Sequence, residues 1–119
     1  MNDIQLLFHN DFGMAFHWKN KDTVNTNQVQ LVFRDTGLLL KHPQLLQLKA
    51  QINKTIETCT LCSACKANKD CRVILLETPV SELSFALSYH ELHLISELLA
   101  GALFQVEMNT VLAKQHIYT

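Results

Sequence analysis

The sequence predicts an α+β protein: a mostly antiparallel sheet of five or six short strands with two main helices on one face, in a single domain over 1–119. Three observations carry this. Stretches with apolar residues at every second position occupy 4–41 and return at 72–87. Apolar residues spaced three and four apart take over at 43–58 and again at 89–115. A composition of 48% hydrophobic and 18% charged residues over 119 positions is that of a folded chain with a core of its own.

Each element has a local reason. Ile4–Asn10 and Met14–Asn20 are short strands with the turn Asp11–Gly13 between them. Lys21–Asn27 is polar and reads as a loop. In Gln28–Arg34 the residues Val29, Leu31 and Phe33 share one face, as in a half-buried strand. Asp35–Gly37 turns the chain into a fourth strand, Leu38–Lys41. Pro43 suits the first turn of a helix, and Leu45, Leu48, Ile52 and Ile56 give that helix one apolar stripe over about four turns. After the loop 59–71, the run Val73–Leu76 within Cys71–Thr78 reads as a buried central strand that Pro79 ends. Leu83, Phe85 and Leu87 alternate in the strand Glu82–Ser88. Ser88 and Glu91, three apart, form a capping box. The helix it opens carries Leu92, Ile95, Leu99, Leu103 and Val106, with Gly101 as a mild weakness and a last turn or two after a kink near Asn109.

A faint internal echo divides the chain into two strand–strand–helix halves joined by the loop 59–71. Leu31-Val32-Phe33 and Leu83-Ser84-Phe85 mark the corresponding strand of each. The layout resembles small uncharacterised bacterial proteins built from two strand–helix units with scattered cysteines. That resemblance implies an α+β fold and carries no activity.

Several function classes are excluded or disfavoured. A net charge of -1 and a pI of about 6.6 give no basic footprint for nucleic acid. The longest apolar runs, Leu38–Leu40 and Val73–Leu76, are far too short to span a bilayer. The start, MNDIQLLFHN, lacks the basic and apolar regions of a secretory signal. The expectation is a soluble, cytoplasmic protein with reduced thiols. No nucleophile–base set, phosphate-binding glycine loop or paired carboxylates are legible, and Glu77, Glu82, Glu91 and Glu97 read as surface residues.

The chemistry therefore concentrates in CTLCSACKANKDC, which holds all four cysteines of the chain, Cys59, Cys62, Cys65 and Cys71. A C-x-x-C turn aims two sulfurs at one point, and two pairs, Cys59/Cys62 and Cys65/Cys71, supply the four thiolates of a tetrahedral zinc site. The spacing also resembles the start of the bacterial ferredoxin cluster run, although the last gap here is five residues and Arg72, not proline, follows Cys71. Cys62 to Cys71 resembles the last three cysteines of the cluster loop in endonuclease III-like DNA glycosylases. The resemblance covers that loop alone and implies that Cys62, Cys65 and Cys71 can ligate an iron–sulfur cluster. The leading expectation is thus a zinc or iron–sulfur site with a structural or interaction role.

Two alternatives stand beside it. Cys59 extends the stripe of the preceding helix by one step of three, so the thiols can be packing groups with no metal at all. Cys62/Cys65 can also be a reactive redox pair, though the aromatic and proline neighbours of thioredoxin-like sites are missing. Lys66, Lys69 and Arg72 can offset thiolate charge or be plain surface residues. His90 and His93 lie one helical turn apart but are three, not four, residues distant, so the zinc-protease motif is not met. Phe16-His17-Trp18 is a candidate pocket wall, with a packed strand histidine as the plainer reading; His9 and His42 read as strand and helix-start residues. A third class of function is an interaction module with inert cysteines, dimerising through the 89–115 helix. Leu94 and Leu98 beside Leu92, Ile95 and Leu99 make that helix apolar over more than one face, which calls for deep burial or a homodimer contact.

Overall fold

The structure, a computed structural model, describes residues 3–117, with side chains as far as Leu112. It is an α+β fold. Strands β1 (Asp3–His9), β2 (Gly13–Asn20), β3 (Thr23–Val24), β4 (Gln28–Phe33) and β5 (Thr36–Lys41) form an antiparallel sheet in the order β1-β2-β4-β5, with β3 pairing onto β2. Helix α1 (His42–Glu57) follows, then a short α2 (Ser63–Ala67), a separate two-stranded hairpin of β6 (Ile74–Glu77) and β7 (Ser84–Leu87), and the long helix α3 (Tyr89–Ile117).

The alternation in β4 sets the layers. Val29, Leu31 and Phe33 point inward and pair across the ladder with β5, which buries Leu38 and Leu40 on the same side. Against that face lie Leu45, Leu48 and Ile52 of α1 and Leu92, Ile95, Leu98, Leu99 and Ala102 of α3. Helix α1 packs on β4, β5 and β6, while α3 packs on β1, β2 and β7 and against α1. The hairpin adds Ile74, Leu76, Phe85 and Leu87 to the same cluster. The Phe33 and Phe85 rings meet edge to face at 4.9 Å, joining sheet to hairpin.

The turns follow from local chemistry. Asn10 Oδ1 accepts the N–H groups of Phe12 and Gly13, closing the β1–β2 turn, and its Nδ2 donates to the Leu94 carbonyl at 2.9 Å. Phe33 pairs with Thr36, so Arg34 and Asp35 alone make the β4–β5 turn; Arg34 takes the left-handed φ of 50° that such a turn needs. Gln44 accepts the Lys41 N–H at 2.9 Å where α1 starts. At α3 the capping box is complete: Glu91 accepts the Ser88 N–H at 2.9 Å and Ser88 Oγ accepts the Glu91 N–H at 3.1 Å.

Four expectations about the elements and their layout change. The 71–78 strand is shorter, Ile74–Glu77, and is half of a hairpin instead of a central strand. It buries Ile74 and Leu76 and leaves Val73 and Leu75 exposed, so its unbroken apolar run hid a one-sided strand. Within Lys21–Asn27, Thr23 and Val24 form a short strand against Lys19 and Asn20. Helix α3 runs on through Asn109 without a break. The sequence echo does not mark equivalent positions: Leu31 to Phe33 lies in the first strand of its hairpin, Leu83 to Phe85 at the second. Both halves do end as hairpin then helix, β4–β5–α1 and β6–β7–α3.

The near half of α3 buries Leu92, Ile95, Leu98, Leu99, Ala102 and Leu103 and leaves His90, His93 and Glu97 exposed. On the far half Phe104, Met108, Val111 and Leu112 are exposed. Among the described residues no helix is long and apolar enough to cross a membrane.

Glu91 is no surface carboxylate. It is 9% exposed and binds two arginines, Arg34 from the β4–β5 turn and Arg72 from the end of the cysteine segment, with Nε–Oε1 at 2.8 Å for Arg72. Burial alone would raise its pKa, but the hydrogen bonds from Arg72, the Ser88 N–H and Arg34 outweigh it and hold the carboxyl at about 2. A folded pKa below the unfolded value of about 4.3 gives stability that is present above pH 5 and lost as pH falls towards 2. Glu91→Gln should cost about 2 kcal/mol at neutral pH, because two partly exposed guanidinium groups lose their carboxylate. It should also flatten the acid limb of the urea-denaturation profile between pH 5 and 2. An unchanged acid limb would remove this role from Glu91.

Gly101 is a close-approach glycine: a Cβ there would overlap the Phe8 ring of β1. On an open helix face Gly→Ala stabilises by up to about 1 kcal/mol. Gly101→Ala should lower the melting temperature instead, and Gly101→Ala with Phe8→Leu should recover much of the loss. A rise in melting temperature for the single variant would contradict the packing.

Candidate functional site

The cysteine segment is built from its two flanks inward. Helix α1 stops when the N–H of Thr58 turns back to the Lys54 carbonyl at 3.0 Å and the N–H of Cys59 to Ile56 at 3.3 Å. Cys59 and Leu61 then pack, partly buried, against the hydrophobic core. The stripe of α1 thus does run one step further, and Cys59 sits in it as a small hydrophobe.

Cys62 is the residue at which the chain turns into α2. Its backbone is extended, at φ -69° and ψ 166°, and its carbonyl accepts the Lys66 N–H at 3.0 Å. This places Cys62 and Cys65 side by side at the start of a single helical turn, with Cys62 exposed and Cys65 half-buried. The backbone N–H of Cys65, next to the Cys62 sulfur, lowers the Cys62 pKa first, then the Cys65 thiol, with a smaller part from the Ala64 N–H, although burial opposes them. The Cys65 thiol is pushed up for the complementary reasons: it donates to Cys62, and ionising it would put a second negative charge beside the first. The charge of Cys71 adds to that rise, so the third sulfur lies within electrostatic reach of the pair.

All four thiols are free. The fold brings Cys62 and Cys65 together, leaves Cys59 in the core margin, and carries Cys71 past α2 to the start of β6. Among the described residues no group of three or more histidine, cysteine, aspartate or glutamate side chains is disposed to hold a metal ion.

The cations divide. Arg72 is engaged by Glu91 and does not serve the thiols. The Lys66 ammonium lies over the Tyr89 ring, 5.0 Å from its centre, and Tyr89 in turn meets the His93 ring edge to face at 4.6 Å. His93 is therefore a stacking partner at the start of α3. These contacts dock the dithiol segment on α3: Lys66 on Tyr89 from α2, and Arg72 on Glu91 from the strand side. No spacing in the sequence connects Arg34, Arg72 and Glu91. The one local signal was the capping box, which put Glu91 at a helix start where a buried carboxylate is well satisfied.

No protein-family model matches the chain, and no curated protein or solved structure matches it.

A lowered Cys62 pKa means that its thiolate persists below the ordinary thiol range of about 8.5. The rate of alkylation by iodoacetamide, followed residue by residue in mass spectrometry, should be highest at Cys62 at pH 7 and should titrate below that range. Cys65→Ala removes the S–H donor and should move the Cys62 inflection up, slowing its alkylation several-fold at pH 7. Equal rates at Cys62 and Cys71 in the unaltered protein would contradict the asymmetry.

Proposed function

We propose that this protein acts through thiol–disulfide exchange at the Cys62–Cys65 dithiol. The observation that carries the reading is the placement of the pair: Cys62 and Cys65 stand side by side at one helical turn, Cys62 exposed and Cys65 half-buried, and their proximity lowers the Cys62 pKa and raises that of Cys65. Cys62 thiolate attacks one sulfur of a substrate disulfide. A Cys62–substrate S–S bond forms, the substrate S–S bond breaks, and the first substrate thiolate leaves and takes a proton from water. Cys65 then gives up its proton and attacks Cys62 Sγ. The Cys62–Cys65 bond forms as the mixed disulfide breaks, releasing the second thiolate. The dithiol has lost two electrons and the substrate disulfide has gained them as two thiols.

The test is oxidation of the reduced protein with glutathione disulfide. Mass spectrometry should find a Cys62–Cys65 bridge with Cys59 and Cys71 still free, and Cys65→Ser should stop at the glutathione mixed disulfide on Cys62. No bridge, or bridges scattered over all four cysteines, would sink the exchange reading.

One observation favours a second reading, a zinc ion or iron–sulfur cluster held by the same loop. Cys71 lies within electrostatic reach of Cys65, so a third sulfur stands near the pair. Cys62, Cys65 and Cys71 would be the first ligands, with Cys59 leaving the core margin to complete four. Protein purified without oxygen should then carry near-stoichiometric zinc, or iron with matching sulfide, and lose it on Cys71→Ser as well as on Cys62→Ser. Metal-free protein that forms the Cys62–Cys65 bridge decides for exchange.

A further inference from the structure

Among the described residues His17 is the one histidine that the fold buries, at 2% exposure on β2. Its Nδ1 lies 2.9 Å from the Gln28 carbonyl oxygen. A carbonyl oxygen can only accept, so Nδ1 carries a proton, and in the neutral imidazole Nε2 is then an acceptor. Among the described residues Nε2 has no hydrogen-bond partner, yet no side-chain nitrogen or oxygen sealed from solvent is left unpaired. Nε2 therefore opens onto space, and the space beside His17 is a cavity of about 240 Å³ walled by Thr26, Val106, Asn109 and Thr110.

That cavity continues outward. A second one, of about 470 Å³, shares Thr26, Val106 and Thr110 with it and extends to His42, Glu107 and Val111. Together they form a cleft between the sheet end and the far half of α3, in the size range of small-molecule sites. Beside the hydroxyls of Thr26 and Thr110, two further polar groups at its inner end have unused capacity. One is His17 Nε2. The other is the Asn109 amide, whose Oδ1 already accepts Gln105 at 3.1 Å, leaving the NH₂ to donate. Among the described residues no lysine or arginine lines either part, and the exposed Glu107 carboxylate stands at the outer rim. Those residues offer an anion no lysine or arginine partner.

We infer that this cleft is a binding site for a small, neutral, largely apolar molecule that presents one N–H or O–H donor to His17 Nε2. Buried polar capacity of this kind discriminates, because a ligand lacking the donor leaves the imidazole nitrogen desolvated and unpaired. Asn109 offers a second contact to a carbonyl or ring acceptor on the same molecule. The site stands apart from the dithiol and does not depend on it.

The experiment uses indole and 1-methylindole, which share shape and apolarity and differ in one donor. Titrations of the full, ¹⁵N-labelled chain would follow the His17 ring nitrogens by NMR. Before titration the two nitrogens should show the neutral Nδ1–H tautomer. Indole should then shift Nε2 and bind about tenfold more tightly than 1-methylindole, the ratio expected for one hydrogen bond to a buried group. His17→Phe should abolish the ratio, and Val106→Phe, which fills the cleft from α3, should weaken both probes. Equal binding of the two probes, or saturation of the solution with both and no shift at His17 or Asn109, would overturn the inference. Because the matched pair is read on the unaltered protein, the result stands even where a variant fails to fold.

Discussion

One carboxylate ties the molecule together. Glu91 takes the Ser88 N–H at the start of α3, the guanidinium of Arg34 from the tip of the β4–β5 turn, and that of Arg72 from the strand side of the cysteine segment. Arg34 Nη2 also reaches the Ala86 carbonyl of β7 at 3.0 Å. Sheet, hairpin, long helix and thiol segment thus meet at a single ionised group. Its burial would be costly if any of these donors were missing. The left-handed backbone at Arg34 belongs to the same arrangement, since the turn that requires it also aims the guanidinium at α3.

The thiol segment inherits its geometry from this anchor. Thirteen residues of polar loop have little packing of their own, and only Cys59 and Leu61 reach the core. What orders the rest is attachment at both sides of α2, through Lys66 on Tyr89 and Arg72 on Glu91. Between those points the chain makes one helical turn, and that turn sets Cys65 beside Cys62. The difference between the two thiols therefore comes from where each stands on that turn. Identical side chains become unlike because Cys62 sits ahead of the turn, close to its N–H groups, while Cys65 sits within it and would ionise next to Cys62.

Much of the fold was legible in the sequence because it depends on local periodicity. Val29, Leu31 and Phe33 alternate, Leu45, Leu48 and Ile52 recur at helical spacing, and each set is buried on the face the pattern assigns. The Ser88–Glu91 cap could be read from two residues three apart. Val73–Leu76 reads as a central strand and proves one-sided, since an apolar run is compatible with burial on one face or on both. The role of Glu91 was not legible, because its two arginines stand 57 and 19 residues away in the chain. For the candidate site, the sequence singled out Cys59, Cys62, Cys65 and Cys71 together. The spacing held no information on which sulfurs meet, and the fold gathers two, sends one to the core margin and leaves the fourth within reach of their charge.

The sequence by itself determined the class of the protein, the positions of its two main helices and the segment where the cysteines concentrate. These follow from patterns spanning a few residues, which the backbone geometry of helix and strand converts directly into faces. Only the tertiary structure decided that His17 keeps a free nitrogen facing a cleft, that Phe8 needs a glycine opposite it, and that Cys62 and Cys65 differ in acidity. Each of these depends on groups brought together by packing or by the turn of the backbone. Residue type and spacing alone say nothing about which donor faces which acceptor.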